Sequence, residues 1–227
     1  MNSEDKTIEV IEEVSETKTE NKEKQKRKMT LPNKLTLIRI VLIPVLFIVY
    51  YIPYLRENYI FLKVSYAFFI DFFIFVVASV TDFFDGFIAR KYNLVTTFGK
   101  FADPLADKML TFSALTLLLI EQVDVLGGVN NHRLVPVWVF AVMLCREFMV
   151  SGIRMISAGK GEVIAAKMLG KIKTFITMIA IGVLFFYGLH EVVMYIGIVL
   201  IYASCFFTIL SGIEYLWKSR KIILESI

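Results

Sequence analysis

Three observations predict an all-α integral membrane protein of six transmembrane helices. Apolar residues make up 57% of the 227-residue chain, against about 45 to 50% in ordinary soluble domains. Apolar runs long enough to cross about 30 Å of hydrocarbon, roughly 20 helical residues, recur from Thr36 onward. The runs are continuous rather than alternating, and a helix satisfies its own backbone hydrogen bonds in lipid. The composition excludes disordered, collagen-like and disulfide-scaffold proteins, and no nucleic-acid partner is expected. The two cysteines, Cys145 and Cys205, lie in apolar runs and read as small buried hydrophobes rather than a bridge or a metal site.

The chain divides into a tail, residues 1–28, and a membrane domain, residues 29–227. Residues 1–28 hold eight acidic and seven basic side chains. Such a segment cannot bury a core and is expected to be a disordered, cytoplasmic tail. It ends in Lys24, Lys26, Arg27 and Lys28, which read as a topology signal, the sharper reading being attraction to anionic headgroups. No apolar core follows a short basic start, so no secretory signal peptide is expected. Deleting residues 1–28 is expected to leave activity largely intact, and a severe loss of turnover in a well-folded truncation would overturn that view.

The spans are expected near Thr36 to Tyr54, Leu62 to Thr81, Pro104 to Val123, Val135 to Ile156, Ile172 to Leu189 and Val192 to Trp217. Short cytoplasmic loops carry the excess of Lys and Arg. With the amino terminus inside, 22 of the 25 basic residues fall on the cytoplasmic side and only Arg56, Lys63 and Arg133 outside. Both termini are therefore expected in the cytoplasm, with the protein multi-pass in the cell membrane. His132 and His190 fall in outer loops, where neither is a convincing acid or base. Glu162 to Met168 is open to a short interfacial helix, with Lys167 snorkelling to headgroups.

Chemistry concentrates in Thr81 to Lys108, TDFFDGFIARKYNLVTTFGKFADPLADK, at the inner ends of the second and third spans. Asp82 and Asp85 are three apart, Asp103 and Asp107 four apart, so each pair shares a helix face. Four carboxylates brought together repel one another unless cations neutralise them. Hard divalent metals such as Mg²⁺ or Mn²⁺ suit such oxygen ligands. Gly86, Ala89 and Gly99 stand one turn from the aspartates and leave room for a bulky ligand, and Arg90 adds a planar cation suited to phosphate. Taken singly, each residue has a plainer account in close helix packing or an interfacial charge.

Together they form Asp82-x2-Asp85-Gly86-x2-Ala89-Arg90-x8-Gly99-x3-Asp103-x3-Asp107, eight fixed positions whose chance agreement is of order 10⁻¹⁰ per start site. The pattern resembles the signature of the CDP-alcohol phosphatidyltransferase family, with no departure from its spacing. The resemblance covers the chain from about Lys28 onward. It implies a homodimer of six-helix subunits in which aspartates hold two divalent metal ions over the diphosphate of a CDP-linked lipid. By motif position, Asp82, Asp85, Asp103 and Asp107 look like metal ligands, with Asp107 also the general base. Asp82, Gly86, Ala89, Arg90 and Gly99 look like the nucleotide and diphosphate platform.

The signature does not name the acceptor alcohol. CREFMVSGIR puts Arg146 and Arg154 on one face of the fourth span, and GKIKT puts Lys171 and Lys173 at the start of the fifth. Charges within spans are costly and face a cavity or a partner, and several cations beside a metal-lined cavity suit a phosphate-bearing acceptor. Positive-inside anchoring is the plainer account of the two lysines, and pairing with Glu147 that of Arg146. These segments, with LPNKLTLIRIVLIP, resemble the branch of the family whose donor is CDP-diacylglycerol and whose acceptor is sn-glycerol 3-phosphate. The resemblance implies acceptor-phosphate contacts at Arg146, Arg154, Lys171 and Lys173, and more weakly at Arg39. Same-fold enzymes making cardiolipin, phosphatidylinositol phosphate or phosphatidylserine are the alternatives.

Two other classes compete. A cation-coupled transporter would place carboxylates at mid-bilayer, yet only Asp71 lies deep, 11 residues or about 16 Å of helix from Asp82. Asp71 is expected to be protonated or hydrogen-bonded within the bundle and outside the site. A structural membrane protein would leave the aspartate spacing without a reason.

Overall fold

The computed structural model describes residues 31–91, 97–124, 131–159 and 168–224. In chain order the elements are α1 (Leu31–Tyr51), α2 (Pro53–Glu57), β1 (Tyr59–Phe61), β2 (Val64–Ser65), α3 (Tyr66–Lys91), α4 (Thr97–Ile120), β3 (Gln122–Asp124), β4 (Asn131–Arg133), α5 (Val137–Gly159), α6 (Met168–Leu184), a 3₁₀ turn at Tyr187–Leu189, and α7 (Glu191–Leu224). The tail at residues 1–28 lies outside the described residues. So does the proposed interfacial segment, apart from Met168, which opens α6.

Six long helices follow the six apolar runs, but their ends differ from the hydropathy limits. α3 runs on to Lys91, and α4 begins at Thr97, seven residues before Pro104. Hydropathy stops where charge begins, whereas backbone hydrogen bonding continues through it. Pro104 in α4 and Pro44 in α1 each lack an N–H, so each helix forgoes one intrahelical bond there.

The chain is mostly helical, as expected, with two small antiparallel hairpins, β1–β2 and β3–β4, that join helix ends opposite those that carry the aspartates. Strands of two or three residues fall below the length at which alternation is readable. The first hairpin is tied to the 3₁₀ turn by Lys63 N–H donating to the Gly188 carbonyl at 3.1 Å. A Cβ on Gly188 would lie 2.1 Å from the Lys63 carbonyl oxygen, so glycine permits that approach. His190 also has a local task, its Nδ1 accepting from Val192 N–H at 3.1 Å at the start of α7.

Within the bundle, α1 packs against both α3 and α4, while α7 packs against α6 and α5. The core contains Leu46, Tyr50, Phe68, Leu117, Leu118 and Phe185, all at most 2% exposed. Phe68 meets Tyr50, Phe185 and Tyr187 at centroid separations of 5.6 to 5.9 Å. Such edge-on and tilted packing suits ring quadrupoles.

Beside this apolar core the bundle buries several ionisable side chains and exposes large apolar ones. Arg39 and Asp71 are fully buried and Glu147 and Lys173 nearly so, while Phe148, Phe175, Val199 and Trp217 are each more than 60% exposed. Exposed apolar surface of that kind marks a membrane or protein contact. Two helical stretches, Asn33–Tyr51 and Glu191–Arg220, are long and apolar enough to cross a bilayer on their own. α6 has 17 residues, and α3, α4 and α5 carry ionisable residues along their length. Membrane association follows from the two apolar helices and the exposed apolar face.

Candidate active site

The aspartates stand on α3 and α4, and α1 holds two of them. Thr36 and Arg39 are three apart and therefore on one face of α1, and both are fully buried. Thr36 Oγ1 donates to Asp103 Oδ1 at 2.6 Å. Arg39 Nη1 donates to Asp82 Oδ1 at 2.5 Å, and its Nε to the Ala78 carbonyl at 3.3 Å. Arg39, read from sequence as a weak acceptor contact, is thus engaged with Asp82. Among the described residues, no three of His, Cys, Asp and Glu converge closely enough to hold a metal ion. Asp85, Gly86, Ala89 and Arg90 lie on α3 with side chains outside the described residues, and Gly99 is buried near the start of α4.

Asp107 lines a cavity of about 530 Å³ together with Arg146, Arg154, Lys171 and Lys173. Four side chains read from sequence as acceptor-phosphate contacts therefore meet one carboxylate of the metal motif in a single space. Arg146 and Arg154, eight apart on α5, reach it from one face, as their spacing predicts.

At its wall the cavity has a cluster of which sequence reading offered only the Arg146–Glu147 pair. Glu147, 8% exposed, accepts from Arg146 Nη1 at 2.6 Å, from Lys173 Nζ at 2.5 Å, and from Lys108 Nζ. One carboxylate on α5 thus gathers cations from α4, α5 and α6. A cation buried alone would carry a large desolvation cost, and shared pairing offsets it. Arg146 next to Glu147 was the only local signal, because Lys108 and Lys173 are 39 and 26 residues away in the chain.

At the opposite helix ends a second carboxylate performs a different task. Glu121 accepts from Tyr50 Oη at 2.7 Å and from Tyr187 Oη at 2.8 Å, with Arg56 Nη2 at 3.7 Å. This joins the ends of α1 and α4 to the 3₁₀ turn, away from the aspartates. Asp71 is fully buried in α3, and among the described residues neither carboxylate oxygen has a hydrogen-bond partner, which leaves the protonated form as the one of the two expected states that the burial favours.

A membrane-associated helical bundle with this aspartate motif defines a class, and comparison with known proteins agrees. Residues 29–210 match the family model described as CDP-alcohol phosphatidyltransferase, and the chain belongs to that family. It is similar to the CDP-diacylglycerol–glycerol-3-phosphate 3-phosphatidyltransferase of Bacillus subtilis (strain 168), 43% identical over 204 residues, covering 86% of this chain and 98% of the relative. It is likewise similar to the proteins of the same name from Rickettsia felis, 37% identical over 84% of this chain and 96% of the relative, and from Shigella flexneri serotype 5b, 34% identical over 86% and 97%.

Proposed function

We propose that this chain transfers the phosphatidyl group of CDP-diacylglycerol to sn-glycerol 3-phosphate, giving phosphatidylglycerophosphate and CMP. The observation that carries the reading is the cavity in which Asp107 meets Arg146, Arg154, Lys171 and Lys173. Its cations suit the acceptor's phosphate, and guanidinium groups can bind it in a bidentate way. The names of the relatives specify the same donor and acceptor.

In this reading Asp107 takes the proton of the acceptor hydroxyl. The hydroxyl oxygen bonds to the phosphatidyl phosphorus, the bond from that phosphorus to the bridging oxygen breaks, and CMP departs with that oxygen. No covalent enzyme intermediate is formed. Asp82, Asp85, Asp103 and Asp107 would hold two divalent ions, Mg²⁺ or Mn²⁺, since an all-carboxylate donor set suits hard cations. When bound, the ions supply positive charge to the diphosphate and the CMP leaving group. Asp82, Gly86, Ala89, Arg90 and Gly99 form the nucleotide and diphosphate platform. Thr36 then orients a ligand, so Thr36→Ala is expected to raise the Mg²⁺ or Mn²⁺ concentration for half-maximal CMP release about 10-fold. A titration of activity against metal concentration measures this, and an unchanged midpoint contradicts it.

The same reading includes six transmembrane spans, a homodimer, and termini and site on the cytoplasmic side of the cell membrane. The placement of 22 of 25 basic residues supports the orientation, and family membership supports the dimer. The deciding experiment is CMP release by the purified protein with CDP-diacylglycerol and Mg²⁺ or Mn²⁺, offering glycerol 3-phosphate, inositol phosphate, inositol, serine or phosphatidylglycerol separately. Release only with glycerol 3-phosphate is expected. Release with another acceptor retains the reaction class and overturns the acceptor, and no release with any overturns both.

A further inference from the structure

One wall of the cavity is made by α7, where Ser211, Glu214, Tyr215 and Lys218 line the same space as Asp107. Their offsets of three, four and seven residues put them on one helix face.

Two of these residues touch the arginines of the acceptor cluster. Ser211 Oγ accepts from Arg146 Nη2 at 2.9 Å. Beside it, a Cβ on Gly212 would stand 3.2 Å from Arg146 Cγ, tighter than ordinary contact, so the absent side chain lets the arginine stem lie close along α7. One turn further on, the Arg154 guanidinium carbon stands 5.7 Å from the Tyr215 ring centroid, within cation–π range. Each arginine of α5 is therefore held by one residue of α7. Long cationic side chains lose rotamer freedom when they grip a phosphate, and holding them beforehand lessens that cost.

We propose that Ser211 and Tyr215 are positioning residues that fix the reach of Arg146 and Arg154, and so select a small phosphomonoester alcohol as acceptor. This rests on the acceptor reading above.

The test is steady-state CMP release by the full-length protein in detergent, varying glycerol 3-phosphate and CDP-diacylglycerol separately. Ser211→Ala is expected to raise KM for glycerol 3-phosphate about 3- to 10-fold, as loss of one ordinary hydrogen bond does. Tyr215→Leu is expected to raise it about 2- to 5-fold. In both variants kcat and KM for CDP-diacylglycerol stay within about twofold, since both residues act through the arginines that grip the acceptor. Tyr215→Phe restores the parent value, because the ring holds Arg154 and the buried hydroxyl has no hydrogen-bond partner among the described residues. An unchanged KM for glycerol 3-phosphate in Ser211→Ala, or KM values for both substrates moving together, overturns the proposal. If Tyr215→Leu gives no folded protein by thermal unfolding, the Ser211→Ala result decides. Absence of CMP release by the parent protein with glycerol 3-phosphate would instead overturn the acceptor reading, so the two failures are distinguishable.

Discussion

Asp107→Asn is expected to lower CMP release by about 100- to 10,000-fold, the range of a lost general base, while the protein still unfolds cooperatively near the parent temperature. The amide keeps the shape of the carboxylate but cannot accept the acceptor's proton or carry its charge. The hydrogen bond from Thr111 Oγ1 at this position goes to the Asp107 main-chain carbonyl at 3.1 Å, so the substitution leaves it intact. Turnover within about threefold of the parent, in a folded protein, would remove Asp107 from the base role. A fall in kcat with unchanged KM for glycerol 3-phosphate is the pattern that separates a base from a binding group.

Glu147→Gln is expected to have the largest effect on stability. Its carboxylate meets Lys108, Arg146 and Lys173 where Glu147 itself is 8% exposed. Removing one partner of a buried ion pair costs about 3 to 5 kcal/mol, because the remaining charge is left uncompensated. Here three cations would face one another across the gap. The measurement is thermal unfolding in detergent, with Glu147→Gln/Lys173→Gln as the second variant. The double variant should recover part of the loss, since deleting a cation along with its anion removes one uncompensated charge. A single variant as stable as the parent would show that the cluster is not held by Glu147.

The aspartate motif was legible because its residues are close in sequence and helix periodicity alone relates them. The same holds for Arg146 and Arg154, whose eight-residue spacing placed them on one face before any contact was known. What sequence could not supply were partners across helices. Thr36 and Asp103 are 67 residues apart, Arg39 and Asp82 are 43 apart, and Arg146 and Ser211 are 65 apart. No local pattern relates such positions. Lys173 was balanced in sequence between anchoring and binding, and the structure buries it against Glu147, whereas Lys171 is exposed at the cavity. The helix ends of α3 and α4 and the two hairpins escaped for a different reason. Hydropathy reports where lipid is tolerated, and these segments take their form from backbone hydrogen bonding beyond that limit.

The two props on α1 have a mechanical consequence. Thr36 grips a carboxylate of α4 and Arg39 one of α3, so a single rigid rod sets the aim of both. Turning α1 by one residue, about 100°, would swing both grips away together. The two aspartates therefore share one degree of freedom, and losing either prop loosens the rod on which the other depends. Damage at Thr36 and Arg39 should accordingly combine non-additively.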